Sequence, residues 1–213
     1  MTLPAHCAHT VAAAGAELLL YVLSGEAILS VQGESRRAGN GSAVHAVDGD
    51  VVEITSSGAP VVVLQFSVPL SSDRHAPLGR RQRWSSLSEP GREAATSDRT
   101  FEVLLGPAQG CCLATLFVGV VPPGAAPWHF HQYAELMVLL SGSTTFHDAC
   151  GMRDMKPGDA VFIPSRALHV NENPGCEPVL VLGLLLPASS PSATYLPHED
   201  TAVPHAIARH ASA

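Results

Sequence analysis

Three histidines and a glutamate at short, regular spacing are the residues best suited to chemistry in this chain. His129 and His131 are separated by one residue, Glu135 follows four later, and His169 lies in a second Gly- and Pro-marked segment, residues 158–173. In a strand alternate side chains share a face, so His129 and His131 point the same way. After a short bend at residues 132–134, Glu135 opens the next strand, and a hairpin can bring its carboxylate beside the two imidazoles. A turn marked by Pro164 lets a neighbouring strand carry His169 to the same place. Three imidazoles and a carboxylate suit a borderline divalent ion such as Fe, Mn, Co, Ni or Zn. On a five- or six-coordinate ion, four protein ligands leave positions open for water or substrate.

The elements that must position these groups read as strands almost throughout. Residues 18–23, 51–54, 61–66, 113–121, 135–140, 160–163 and 179–186 are short β-branched or apolar runs punctuated by Gly, Ser, Pro or Asp. Many short strands with turn signals between them mean a sandwich or a barrel. The pattern also repeats. "ELLLYVLSGEAIL" parallels "AELMVLLSGSTTF", "DGDVVEI" parallels "PGDAVFI", and "APVVVLQFSVPL" parallels "EPVLVLGLLLPA". Two related β units are therefore expected at 1–72 and 100–188. A polar, Arg- and Ser-rich linker (73–99) joins them, with a helical stretch around 87–95. A Pro-, Ala- and Ser-rich tail (189–213) follows, whose Tyr195, Leu196 and Ile207 could dock on a neighbour.

The spacing of these residues resembles the two motifs of the cupin superfamily. The first is Gly, a short spacer, H-x-H, three or four residues, Glu, six residues, then Gly. It maps onto Gly124, His129, His131, Glu135 and Gly142. The second is Gly, five residues, P-x-G-x-x-H, three residues, then Asn. It maps onto Gly158, Pro164, His169 and Asn173, with Arg166 where the motif has Gly. With the internal repeat, the resemblance implies an all-β bicupin of two double-stranded β-helix (jelly-roll) barrels. It implies one divalent metal per chain, held by His129, His131, Glu135 and His169. The N-terminal unit is expected to bind none. Aligning Ser24-Gly25 with Ser141-Gly142 puts Ala12, Ala14 and Leu18 at the places of the first three ligands. The 49–60 loop counts nine residues fewer than 158–178, where His169 lies. That unit reads as structural, and His6, Cys7 and His9 as part of a frayed terminus.

Other residues carry lesser expectations. Met137 and Leu139 share strand parity with Glu135 and face the barrel interior, Met137 as a substrate contact. Tyr133 joins Glu135 as a proton-transfer candidate. Trp128 and Phe130 alternate with the ligands and face away, while His147 is expected at the surface. Asn173 and Arg166 are candidate substrate contacts. From residue 100 to 187 the only basic residues are Arg153, Lys156 and Arg166. Oxalate or a nucleotide sugar would require several fixed cations, so a small, largely apolar, oxygen-bearing substrate is expected.

Composition narrows the partners. The net charge of −7 argues against nucleic acid. The six arginines between residues 73 and 99 read as a solvated linker. Five cysteines without C-x-x-C spacing fit free thiols in a reducing cytoplasm. Residues 12–23 are too short an apolar run to span a membrane. Charged residues are only 15%, which suggests that a second copy covers some surface in a homodimer.

Three functions remain. The first is a mononuclear oxygenase, dioxygenase-like, in which Fe(II) chelates an enol, catechol or keto-acid oxygen and Glu135 acts as base. The second is a non-redox isomerase, cyclase or lyase with the metal as Lewis acid and Tyr133 or Glu135 moving the proton. The third is a non-catalytic binder or sensor.

Overall fold

The structure is a computed structural model that describes residues 1–88, 93–95, 97–199, 201–205 and 207. It is all-β, and the chain divides into two compact units. The first, Met1–Ser88 with Leu104–Ala114, holds β1 (Thr2–Leu3), β2 (Ala8–Ala12), β3 (Ala16–Ser24), β4 (Ala27–Val31), β5 (Glu34–Ala38), β6 (Ser42–Ala46), β7 (Val51–Ser56), β8 (Val61–Pro69) and β9 (Trp84–Ser86). The second, Glu89–Val103 with Thr115–Ala213, holds β10 (Glu93–Ala94) and most of β11 (Thr100–Leu105). It continues with β12 (Thr115–Val121), β13 (Gly124–Ala125), β14 (Ala134–Ser141), β15 (Thr144–Asp148), β16 (Gly151–Met155), β17 (Ala160–Ile163), β18 (Val170–Asn173) and β19 (Val179–Leu186). Among the described residues no helix is long and apolar enough to cross a membrane.

The repeat is one of topology. The strand orders β1-β8-β3-β6 and β2-β7-β4-β5 of the first unit recur as β12-β19-β14-β17 and β13-β18-β15-β16 in the second. Strict alternation sets the faces: in β7, Val52, Ile54 and Ser56 are buried and Val51, Glu53 and Thr55 exposed. Each core draws on both of its sheets, as a jelly roll requires. Leu18, Leu20 and Val44 meet Leu29, Val52 and Ile54 in the first unit. Met137, Leu139 and Val181 meet Phe146 and Met155 in the second. Each such side chain contributes roughly 1.5–3 kcal/mol by leaving water. The tight turn after β3 needs Gly25, whose φ is +81° and where a Cβ would lie 2.4 Å from the Pro60 carbonyl oxygen.

This topology corrects the alignment of the repeat. β6, not β7, takes the place of β17, and β7 takes the place of β18. Residues 39–54 match 156–171 without a gap, so the nine-residue deletion disappears. Two turns of the same chemistry make both matches look alike in sequence. Asp50 Oδ2 accepts the Val47 N–H at 3.0 Å, and Asp159 Oδ2 accepts the Lys156 N–H at 3.0 Å, each beside a left-handed glycine. Pairing also shifts the first ligands by one. Val11 lies opposite Val52 as His129 lies opposite His169, while Ala12 and Ala14 are exposed. Val11, Ala13, Leu18 and Val52 therefore occupy the ligand positions, in the apolar core.

Three further expectations change. The N-terminus is paired rather than frayed: β1 lies against β8, β2 against β7, and the Met1 ammonium donates to the Val63 carbonyl at 2.8 Å. The 73–99 stretch is more than a linker, since β9 pairs with β6. No helix forms at its described residues around 87–95, where Glu93–Ala94 is a strand; residues 89–92 lie outside the described ones. The tail docks on its own unit, with Tyr195 bridged to Phe130 and Ile207 half-buried.

Candidate metal centre

Backbone pairing brings the histidines together. The His129 N–H reaches the His169 carbonyl at 3.3 Å, and the His169 N–H reaches the His129 carbonyl at 3.0 Å. His131, two residues on, points the same way although this segment is irregular rather than a named strand. Ring centroids lie 5.1 Å apart for His129–His131, 4.4 Å for His129–His169 and 5.1 Å for His131–His169. One nitrogen of each ring lies within 4.8 Å of the other two. Glu135 sits opposite Ile163 and Leu185 in β14, and its Oε2 is 3.6 Å from His131 Nε2. Trp128 and Phe130 face away, against the tail: Trp128 Nε1 donates to the His205 carbonyl at 3.0 Å, and Phe130 stacks on Tyr195.

The hydrogen bonds fix which nitrogen is free. Each Nδ1 lies near a backbone carbonyl: His129 on Pro127 at 2.9 Å, His131 on Ala193 at 3.2 Å, and His169 on Ala167 at 2.9 Å. A carbonyl only accepts, so each Nδ1 carries the proton and each Nε2 turns a lone pair to the common centre. Burial, then repulsion by its neighbours, pushes His129 down to about 2. Burial takes His169 down to about 4 and also lowers His131. All three rings are therefore neutral at pH 7, the form that binds metal. Burial pushes Glu135 up to about 7 against the pull of Arg99. Three buried lone pairs without a donor, beside a carboxylate, fit a divalent cation.

A second cluster, Glu17, His45 and Cys111 of the first unit, has ligand-type atoms equally close together but lacks this preparation. His45 Nε2 already bonds Glu17 Oε2 at 2.9 Å, Cys111 Sγ lies 3.8 Å from the same oxygen, and His45 Nδ1 is buried without a partner. His45 Nε2 and Cys111 Sγ are thus already turned to the Glu17 carboxylate rather than left free for an ion.

The cavity beside the three histidines has a volume of about 100 Å³. Tyr133 lines it and stacks on His131, centroids 4.6 Å apart and planes 10° from parallel. Burial raises the Tyr133 phenol, which stays protonated. Met137 also lines it, its Sδ 3.5 Å from Asn171 Nδ2. Phe101, Phe117 and Phe146 form apolar wall, and Pro191, Thr194 and Leu196 of the tail close one side.

Other expected residues lie elsewhere. Arg166 is exposed on the turn before His169, outside the cavity lining, with Nε on Gln132 Oε1 at 3.0 Å. Its φ of +64° is the left-handed conformation that the motif glycine adopts without cost, and Gly49 holds it at +87° in the equivalent turn. Asn173 is also outside the cavity. It ties β18 to the Val121 and Glu177 carbonyls, at 3.1 and 2.8 Å. His147 is buried, not at the surface, with Nε2 on Glu172 Oε2 at 2.8 Å and Nδ1 on His205 Nε2 at 2.9 Å.

One charged residue of the cavity was missed, and of two asparagines after His169 the cavity takes the nearer. Arg99, assigned to the solvated linker, lines it and donates to the Asn171 carbonyl. The residue is half-buried, and burial lowers its pKa to about 10 against the pull of Glu135. Asn171, two residues from His169 and on its face, lines the cavity where Asn173 was expected to. Strand spacing after His169 marks it together with Asn173. No signal in the sequence places Arg99.

Comparisons with known proteins agree with this geometry. Residues 117–185 match the family described as a cupin domain. Comparison with the curated proteins returns no match. Among solved structures, the fold is similar to that of AerE from Microcystis aeruginosa, with a TM-score of 0.71 and 14% identity over 87% of this chain and 84% of that one. A point mutant of Bacillus subtilis oxalate decarboxylase OxdC gives a TM-score of 0.67 and 15% identity over 89% and 68%. A cupin 2 conserved barrel domain protein from Leptotrichia buccalis gives 0.61 and 14% over 87% and 80%. At such identities the likeness is one of fold. Residues 117–185 thus match a cupin domain, and the fold along most of the chain is similar to that of solved cupin-barrel structures.

Proposed function

We propose that this chain is a metal-dependent enzyme that oxidises a small oxygen-bearing organic substrate with O2. One observation carries the reading: three neutral imidazoles aim free Nε2 atoms at one point, beside a carboxylate pushed up to about 7, in a cavity of molecular size. A divalent ion on His129, His131, His169 and Glu135, Fe(II) first and Mn, Ni, Co or Zn as alternatives, would supply Lewis acidity and, for a redox-active ion, O2 chemistry. The chain supplies the rest. Glu135, on leaving the metal, is placed to take a proton from a bound hydroxyl or enol. Tyr133 holds the His131 ring and offers a phenol donor. The phenylalanine wall and the tail limit water. Tyr133 and Glu135 together also suit the non-redox reading, proton transfer without O2. Turnover measured with and without O2 decides. Oxygen uptake in step with product is expected, and turnover unchanged under anaerobic conditions would sink the oxygenase reading.

A further inference from the structure

The cavity contains a cation that the metal centre does not use. Arg99 reaches it from the segment just before β11 and donates to the Asn171 carbonyl. Among the described residues no carboxylate lies within 4.0 Å of it. Glu135 is near enough to be felt, but that carboxylate faces His131 and the metal position. Among the described residues this half-buried guanidinium has one hydrogen-bond acceptor for its five N–H donors, so most of the fork is free to meet an anion. Beside it, the Asn171 side chain is buried and its Oδ1 has no partner. Turning the amide over would only exchange which end is unsatisfied, since the other end meets the Met137 sulfur. A fixed cation and an unsatisfied amide thus share one wall of the cavity that His129, His131 and His169 also line.

We infer that Arg99 and Asn171 form a carboxylate subsite, and that the substrate is a small monocarboxylic acid with a hydroxyl or oxo group beside the carboxylate. The planar guanidinium fork matches a carboxylate through two parallel hydrogen bonds, and a single cation balances a single negative charge. With its amide turned so that Nδ2 faces the cavity, Asn171 donates to the same carboxylate; in the other orientation its Oδ1 accepts from the acid's hydroxyl. The neighbouring oxygen then lies toward Glu135 and the histidines. This assignment rests on the reading of the cavity as an active site and replaces the largely apolar substrate expected from the sequence.

The test is calorimetric titration of the full-length, Mn-loaded protein with glycolate and pyruvate, each against its uncharged amide. The acids should bind at least ~10-fold more tightly than the amides. Arg99→Gln should bring the acids down to the amide level while leaving metal content unchanged, and Arg99→Lys should fall between. Equal binding of acid and amide by the wild type overturns the subsite, as does failure of both acids to bind. That comparison stands even if a variant fails to fold. Acid affinity that survives Arg99→Gln assigns the carboxylate to the metal alone and also overturns it. Absence of O2 uptake would refute the oxygenase reading and leave the acid preference standing, so the two failures are distinguishable.

Discussion

The two units put different residues at the same places in the same topology. Inside the first, Val11, Ala13, Leu18 and Val52 close an apolar core. Inside the second, His129, His131, Glu135 and His169 stand there, around a cavity of about 100 Å³. The strand order and the cross-strand pairings are kept, so the barrel frame is indifferent to which set it carries. What differs is the support. Each metal-site histidine has a backbone carbonyl on Nδ1, and one of those carbonyls, that of Ala193, comes from the tail. A ligand set is thus a local replacement on a common scaffold together with the acceptors that orient it.

The largest effect should come from removing a ligand. His129→Ala, His131→Ala or His169→Ala is expected to take metal content from about one equivalent per chain to near zero by elemental analysis. A full equivalent retained in all three variants would mean that the first unit, not the second, holds the ion.

Exchanging residues between the units tests the scaffold. Val52→His buries an imidazole without an acceptor in a closed core and should cost about 2–4 kcal/mol in urea unfolding, without binding metal. His169→Val, measured on metal-free protein, should leave stability unchanged or raise it. If the two substitutions cost the same, the cores are not alternatives on one frame.

The smallest effect is a slope. Glu135 has a folded value near 7, above its ordinary 4.5. Its contribution to stability is full below 4.5 and lost as pH rises through 7. His129 and His169 fall below 6.5, so theirs is present above 6.5 and lost on acidification. The two trends oppose. In metal-free protein, Glu135→Gln should therefore lose stability more steeply than wild type between pH 7 and 4.5. Parallel slopes would show that Glu135 is not held above its ordinary value.

The meeting of these side chains was legible because period-two alternation and the spacing of His129, His131, Glu135 and His169 leave few other arrangements. The first unit's register was not, because an X-x-Gly-Asp turn occurs before both β7 and β17, and alternation accepts either match. Arg99 was invisible for a different reason. It stands at the end of the Arg-rich stretch, and nothing local distinguishes it from its linker neighbours. The docked tail has no hydrophobic period at all. Its place is set by single contacts, the Tyr195–Phe130 bridge and the Trp128–His205 hydrogen bond.

The carbonyl of Ala193 has a further consequence, in the timing of synthesis. A chain is made from its N-terminus, so His129, His131 and His169 all leave the ribosome before Ala193 does. The second barrel can offer three imidazoles while His131 still lacks the acceptor that fixes its tautomer. A product terminated between residues 187 and 192 would contain all of β19 and every ligand, yet hold His131 less firmly than the finished protein.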